Sequence, residues 1–209
     1  MKDIFGTEFR QVELREFLGK RAIVGIATRV YDTTVEDLWE AIVTPERLAR
    51  WFLKVEGDLK LGGRYQLQGN AGGTITRCEP PEALDLTWEF GGGTSWVNVR
   101  LTPDQRKARL TLEHIAHEDG IGKEHFEKFG PGATGVGWDL ALHGLKQYLA
   151  KPDAAIDHAA FEAWTVSSEG RAFVRESGEA WGEAYIIAGA NPETARAQAQ
   201  RTISFYTGA

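Results

Sequence analysis

The sequence predicts an α+β fold in which an antiparallel sheet is covered by a long helix, and three observations predict it. Between residues 62 and 117, apolar and polar residues alternate in short runs separated by glycine and proline, the pattern of strands buried on one face. Residues 134–150 place Trp138, Leu142, Leu145 and Leu149 on one narrow stripe at helical spacing, with Ala141 and Tyr148 at its edge. A meander with one polar face needs an apolar cover on the other, and this helix supplies it.

Taken in order, residues 1–20 mix charged and apolar positions. Val12, Leu14, Phe17 and Leu18 fit either a short helix or a segment lying across a neighbour, so the stretch is read as an ill-defined N-terminal arm. Residues 21–30 are rich in β-branched side chains and predict a first strand. Thr33 or Thr34 then caps a helix with Val35, Leu38, Trp39 and Ile42 on its inner stripe and acidic Glu36 and Asp37 in the first turn. Pro45 ends that helix and begins another, which closes on Trp51-Phe52.

The meander follows. Tyr65 and Leu67 alternate with polar neighbours, Gly69 to Gly73 turns the chain, and residues 74–79 form a strand stopped by Pro80-Pro81. Leu84, Leu86, Trp88 and Phe90 alternate with Asp85, Thr87 and Glu89 as a half-buried strand. After Gly91 to Gly93 the inward set is Val97, Val99 and Leu101, and after a turn at Pro103 to Arg106 it is Ala108, Leu110 and Leu112. Continued by two, that set turns His114 inward. The expected order is strand, two helices, about six strands and the long helix, with Thr134 as its candidate N-cap.

Hydrophobic content of 42% with 26% charged residues is ordinary for a globular chain. A net charge of −6 argues against nucleic acid, which calls for a basic face, and offers an anionic membrane no attraction. No apolar run approaches the roughly 20 residues that cross a bilayer, and Met1 to Gly6 lacks the pattern of a signal peptide. The single cysteine, Cys78, forms no internal disulfide, reads as a packed strand residue and fits a reducing cytoplasm.

These motifs resemble the START-like, or SRPBCC, superfamily, and most closely the branch named after the activator of the ninety-kilodalton heat-shock protein's ATPase. The resemblance rests on Val35-Glu-Asp-Leu-Trp39-Glu-Ala41, Thr44-Pro45-Glu46 through Trp51, Leu61-Gly62-Gly63-Arg64-Tyr65, Glu79-Pro80-Pro81 through Leu84 to Trp88, and Leu110-Thr-Leu112-Glu-His114. It covers roughly residues 21–150 and implies a helix-grip fold: a curved antiparallel sheet around a C-terminal helix, with a cavity that in many members holds an apolar ligand. Fold transfers more safely than activity across such a superfamily.

Residues 151–209 are read as a helical C-terminal extension. Ser167 or Ser168 caps a helix with Phe173, Ala180, Trp181, Ala184 and Ala188 on one side and Gly189 at its end. Asn191-Pro192-Glu193 starts a second, with Ala195, Ala199, Ile203 and Tyr206 on its apolar face. Both stripes must be buried, on the chain's own domain or on a partner's in a homodimer.

The resemblance puts a ligand cavity between Trp138, Leu142 and Leu145 of the helix and Tyr65, Trp88, Val99, Leu112 and His114 of the sheet, for a small apolar or aromatic molecule. Taken singly, each apolar member also fits plain core packing. An inward His114 would donate to a ligand, act as a base, or be satisfied by a neighbouring backbone group or tyrosine. His114, His117, Glu118, Asp119 and His125 invite a metal reading, but 114 and 117 point to opposite faces of a strand, and neither metal nor cofactor is expected. The segment from Glu118 to Lys128 reads as a loop or short helix over the pocket mouth. The glycine runs lack the Lys-Ser/Thr of a phosphate loop, and no nucleophile elbow is visible. The alternatives to ligand binding are a co-chaperone module acting on a heat-shock ATPase, and a cyclase- or hydrolase-like enzyme with His114 as base assisted by Tyr65 or Asp139.

Overall fold

The computed structural model of the chain describes residues 8–120, 122–153 and 158–208. Among them, eight strands form one antiparallel sheet: β1 Glu8–Phe17, β2 Lys20–Tyr31, β3 Val55–Gly57, β4 Arg64–Leu67, β5 Gly72–Glu79, β6 Ala83–Phe90, β7 Gly93–Asp104 and β8 Lys107–His117. Their spatial order is β1-β2-β8-β7-β6-β5-β4-β3. The helices are α1 Val35–Val43, α2 Pro45–Leu48, α3 Lys123–Phe129, α4 Gly132–Ala150, α5 His158–Thr165, α6 Ser168–Ile187 and α7 Pro192–Thr207. This is the α+β helix-grip architecture, a curved open sheet closed around α4.

The N-terminal arm is not what its mixed sequence suggests, and the strands set out from the alternation are joined by two more, β1 and β3. Residues 8–17 form an edge strand paired with β2 along its whole length, from Glu8 opposite Arg29 to Phe17 opposite Lys20. The turn between them puts Leu18 at φ 49° and Gly19 at φ 76°. Such a two-residue hairpin usually announces itself by Asn-Gly or Asp-Gly, and a leucine in that left-handed conformation hides it. Residues 1–7 of the expected arm lie outside the described residues.

Elsewhere the local chemistry acts as written. Thr34 accepts from the Asp37 N–H to cap α1, and Leu38, Trp39 and Ala41 are its buried face. Ser167 and Asn191 cap α6 and α7 in the same manner. The long helix starts earlier than Thr134: Pro131 precedes its first turn and no side chain caps it.

Period-two alternation divides the sheet. The inner face carries Val12, Ala27, Tyr31, Val97, Val99, Leu101, Leu110 and Leu112 into a core shared with α1, α4 and α6. The outer face carries the ion pairs Arg15–Glu113 and Arg100–Asp85, with a small apolar patch where Phe17 and Trp96 cover Val24, Ile26 and Ile115. Phe90, expected on the buried side of its strand, is 62% exposed at the strand's end.

The helical hairpin closes its stripes on this chain. Trp181, Phe173 and Val174 of α6 are buried against α4 and the sheet. From α7, Gln198 donates to the carbonyls of Phe126 and Glu127, Thr202 to that of Phe129, and Tyr206 to that of Ala133. No described helix is long and apolar enough to cross a membrane.

Candidate functional site

Packing of α4 over the curved sheet leaves a hollow that α1, α2 and the chain up to β3 close from the side. An inner chamber of about 150 Å³ is walled by Leu67, Ile75, Leu84, Leu86, Val97, Val99, Leu110 and Leu112 of the sheet, Trp138 and Leu142 of α4, and Leu48, Trp51 and Phe52 from the far side. Almost all of that wall is aliphatic or aromatic. Its one hydroxyl-bearing ring is Tyr65, whose O–H is already donated to the Thr87 carbonyl at 2.7 Å. Cys78 also lies on this wall.

Beyond Trp88 and Trp138 lies a wider cleft of about 630 Å³, with Thr94, Ser95, His114, Glu118, Lys123 and His125 on its sides. Helix α3 and the residues Glu118 and Gly120 before it border this cleft. Phe52, Trp88 and Trp138 border both spaces and form an aromatic septum between them. The Phe52 and Trp138 rings are 6.0 Å apart and 27° from parallel, and Trp88 meets Trp138 at 5.2 Å and 59°, within the range of favourable ring pairs.

His114 faces inward, as its alternation requires, and both ring nitrogens are engaged. Trp138 donates its indole N–H to Nδ1 at 2.9 Å, and Nε2 lies 2.8 Å from Ser95 Oγ. An indole N–H only donates, so Nδ1 holds a lone pair and the neutral ring carries its proton on Nε2. That proton goes to Ser95, whose own hydroxyl passes on to the Trp88 carbonyl at 3.2 Å. Burial pushes the His114 pKa down to about 4; a protonated ring would also turn an N–H on the Trp138 donor. The arrangement holds a neutral imidazole as a structural strut, satisfied by Ser95 and Trp138 rather than by backbone or tyrosine.

One residue on from Trp138, Asp139 is 1% exposed and turns away from the chamber towards β1 and α6. Its Oδ2 accepts from Arg10 Nε at 2.6 Å, Ser177 Oγ at 2.5 Å and Trp181 Nε1 at 3.0 Å. Arg29 is buried beside it and lies 2.5 Å from Glu8, a close ion pair without the alignment of a hydrogen bond. Burial raises the Glu8 pKa. Two acids and two arginines thus balance in a water-poor site, where each charge depends on its partners.

Of the eight expected ligand residues, Tyr65, Trp88, Val99, Leu112, Trp138 and Leu142 border the inner chamber, and Trp88, His114 and Trp138 border the cleft. Leu145 borders neither; it is fully buried in the core. Tyr65, Asp139 and His114 keep separate partners and make no common site. His117 turns to the Phe17 carbonyl, and among the described residues no three His, Cys, Asp or Glu side chains are placed to hold a metal ion. Phe52 and the wall from α2 were missed by the sequence reading, although the aromatic pair Trp51-Phe52 at a helix end was its signal. Ser95, at a hairpin, gave none.

Comparisons with known proteins agree with this geometry. The family described as "Activator of Hsp90 ATPase homolog 1-like protein" matches residues 32–150, which bears out the resemblance carried by the Val35, Thr44 and Leu110 motifs. CalU16 from Micromonospora echinospora is 31% identical; its crystal structure aligns over 85% of this chain and 97% of that one at a TM-score of 0.66. Its solution structure aligns over 90% and 100% at 0.72. Such coverage exceeds the residues before the C-terminal extension, so the likeness reaches into it. EF2215 from Enterococcus faecalis, 16% identical, shares the fold over 87% of this chain and 92% of its own at 0.59. DynU16, from the dynemicin biosynthetic locus, is 22% identical and shares the fold over 61% of this chain and 47% of its own at 0.52. None of the curated proteins searched matches the chain.

Proposed function

Because the chain belongs to the Activator of Hsp90 ATPase homolog 1-like family, we propose that it is a binding protein that holds a small apolar or aromatic molecule between its sheet and α4. The observation that carries this reading is the inner chamber itself: about 150 Å³ lined by apolar side chains in a part of the molecule where close packing is the norm. An apolar space of that size takes up a single aromatic ring. Leaving it empty forfeits dispersion contacts, so a guest that fills it is stabilised by burial of its surface at about 25 cal/mol per Å².

The contacting residues would be Tyr65, Trp88, Val99, Leu112, Trp138 and Leu142 in the chamber, with His114 behind Trp138 holding the indole in place. A neutral His114 with both nitrogens committed supports binding over base catalysis. A hollow interior likewise favours a small guest over a module whose work is done on its surface with a chaperone.

Thermal unfolding with toluene or indole tests the reading. A ligand at about one hundred times its Kd raises stability by about 2.7 kcal/mol, which appears as a rise in Tm of several degrees. A Tm unmoved by any one-ring apolar compound at millimolar concentration sinks it. The same titration should quench tryptophan emission, and Leu142→Trp, which fills the chamber, should abolish both responses.

A further inference from the structure

We propose that chamber and cleft are two subsites of one binding site, made for an elongated amphiphilic molecule with an apolar ring at one end and a larger polar-edged body, and that Phe52 determines whether the two are joined. The inference rests on the ligand-binding reading above and names the class of molecule the site selects.

The volumes set the shape. The chamber, at about 150 Å³, holds one ring, while the cleft, at about 630 Å³, lies in the range of sites for drug-sized molecules. The chemistry sets the polarity. Hydroxyl, imidazole, ammonium and carboxylate groups from Ser95, His125, Lys123 and Glu118 border the cleft, whereas the chamber wall is apolar. A molecule reaching both therefore puts its bare ring inward and its hydrogen-bonding substituents outward, since an unpaired polar group in the chamber would cost several kcal/mol.

Which septum member yields follows from what holds each one. Trp138 is fixed by its hydrogen bond to His114, and the next residue, Asp139, is clamped by Arg10, Ser177 and Trp181. Trp88 stands in the middle of the sheet, opposite Ser95 of β7, and its carbonyl accepts from that serine. Phe52 has no polar side-chain atom and stands on the irregular stretch between α2 and β3. Its backbone is tied down, with N–H donated to Leu48 at 2.9 Å, and the neighbouring Trp51 is anchored to the Ala41 carbonyl. Only the Phe52 ring is thus free to turn, and turning it breaks ring contacts with Trp51 and Trp138 but no hydrogen bond. Rotamer changes of this kind are the least costly way to join two adjoining spaces.

The test uses the full chain with two probes: toluene, which fits the chamber alone, and 4-phenylphenol, whose second ring must cross the septum and whose hydroxyl would reach the cleft. Affinities come from tryptophan quenching and from Tm. Phe52→Ala should bind 4-phenylphenol about tenfold more tightly than the native chain, and Phe52→Trp about tenfold more weakly, while toluene, which loses a wall contact in Phe52→Ala, should bind that variant no more tightly than the native chain. Phe52→Leu, which keeps an apolar side chain on this wall, should give an intermediate gain and carries the comparison if the alanine variant does not fold. Parallel changes for the two probes, or 4-phenylphenol affinity indifferent to residue 52, overturn the two-subsite inference and leave the binding reading standing. Failure of both probes to bind any form overturns both.

Discussion

His114 shows how one residue's environment becomes a measurable pH dependence. With its pKa lowered by burial to about 4 in the folded protein, the ring stays neutral there while the unfolded chain protonates near the ordinary value of about 6.5. Between those values the unfolded state holds the extra proton, so stability is full above pH 6.5 and declines as pH falls towards 4, by at most about 3 kcal/mol for this residue. His143, also lowered to about 4 by burial, then by Arg29, acts in the same direction. Tm measured from pH 7.5 to 4 should therefore fall for the native chain, and less steeply for His114→Gln. Trp138→Phe removes the N–H aimed at Nδ1, and NMR titration should find the His114 pKa moved upward in that variant. The inward face of His114 was legible from a period of two. Its partners were not, because Ser95 and Trp138 come from a separate strand and a helix and meet it only in the fold.

At the scale of elements, α4 departs most from its sequence. Its stripe of Trp138, Leu142 and Leu145 was legible, but the burial of Gly135 and Asp139, at the edge of that stripe, against Trp181 of α6 was not. A Cβ on Gly135 would lie 2.3 Å from the Trp181 indole. Gly135→Ala, which in an exposed helix would stabilise by up to about 1 kcal/mol, should instead destabilise by about 1–3 kcal/mol through overpacking. Asp139→Ala strands Arg10, Ser177 and Trp181 without their shared acceptor and should cost about 3–5 kcal/mol. Urea unfolding of the two variants measures both effects. Asp139 was singled out only as a possible helper of His114, and neither position announced its burial, since a glycine and an aspartate beside an apolar stripe are ordinary on a wet surface. Strand β1 escaped notice for a different reason: its alternating charges pair within the sheet and with α4, and its turn uses a leucine where asparagine is usual.

For the whole molecule, the order of strands and helices was legible because each element's period and punctuation are local. The inner chamber was not: an empty volume is the small difference between backbone spacing and side-chain size, and no residue reports it alone. The extension also belongs to this scale. Its α6 and α7 supply partners to Asp139, to the carbonyls at the end of α3 and to the first turn of α4. A chain ended at residue 150 should lose cooperative thermal unfolding, because it bares the apolar side of α4 and leaves the buried carboxylate half satisfied. Calorimetry that found a native-like transition in such a chain would contradict this.

The pairing of β2 with β8 has a kinetic consequence. Tyr31 lies opposite Ala108 and Ala22 opposite His117, so the second strand waits for the eighth, and everything between them must already be synthesised before the ladder can zip. Contacts so distant along the chain slow folding through the entropy of closing the intervening loop. On the ribosome, the β1–β2 hairpin would emerge early with one long edge unpaired, a state open to association with other nascent chains until its late partner arrives.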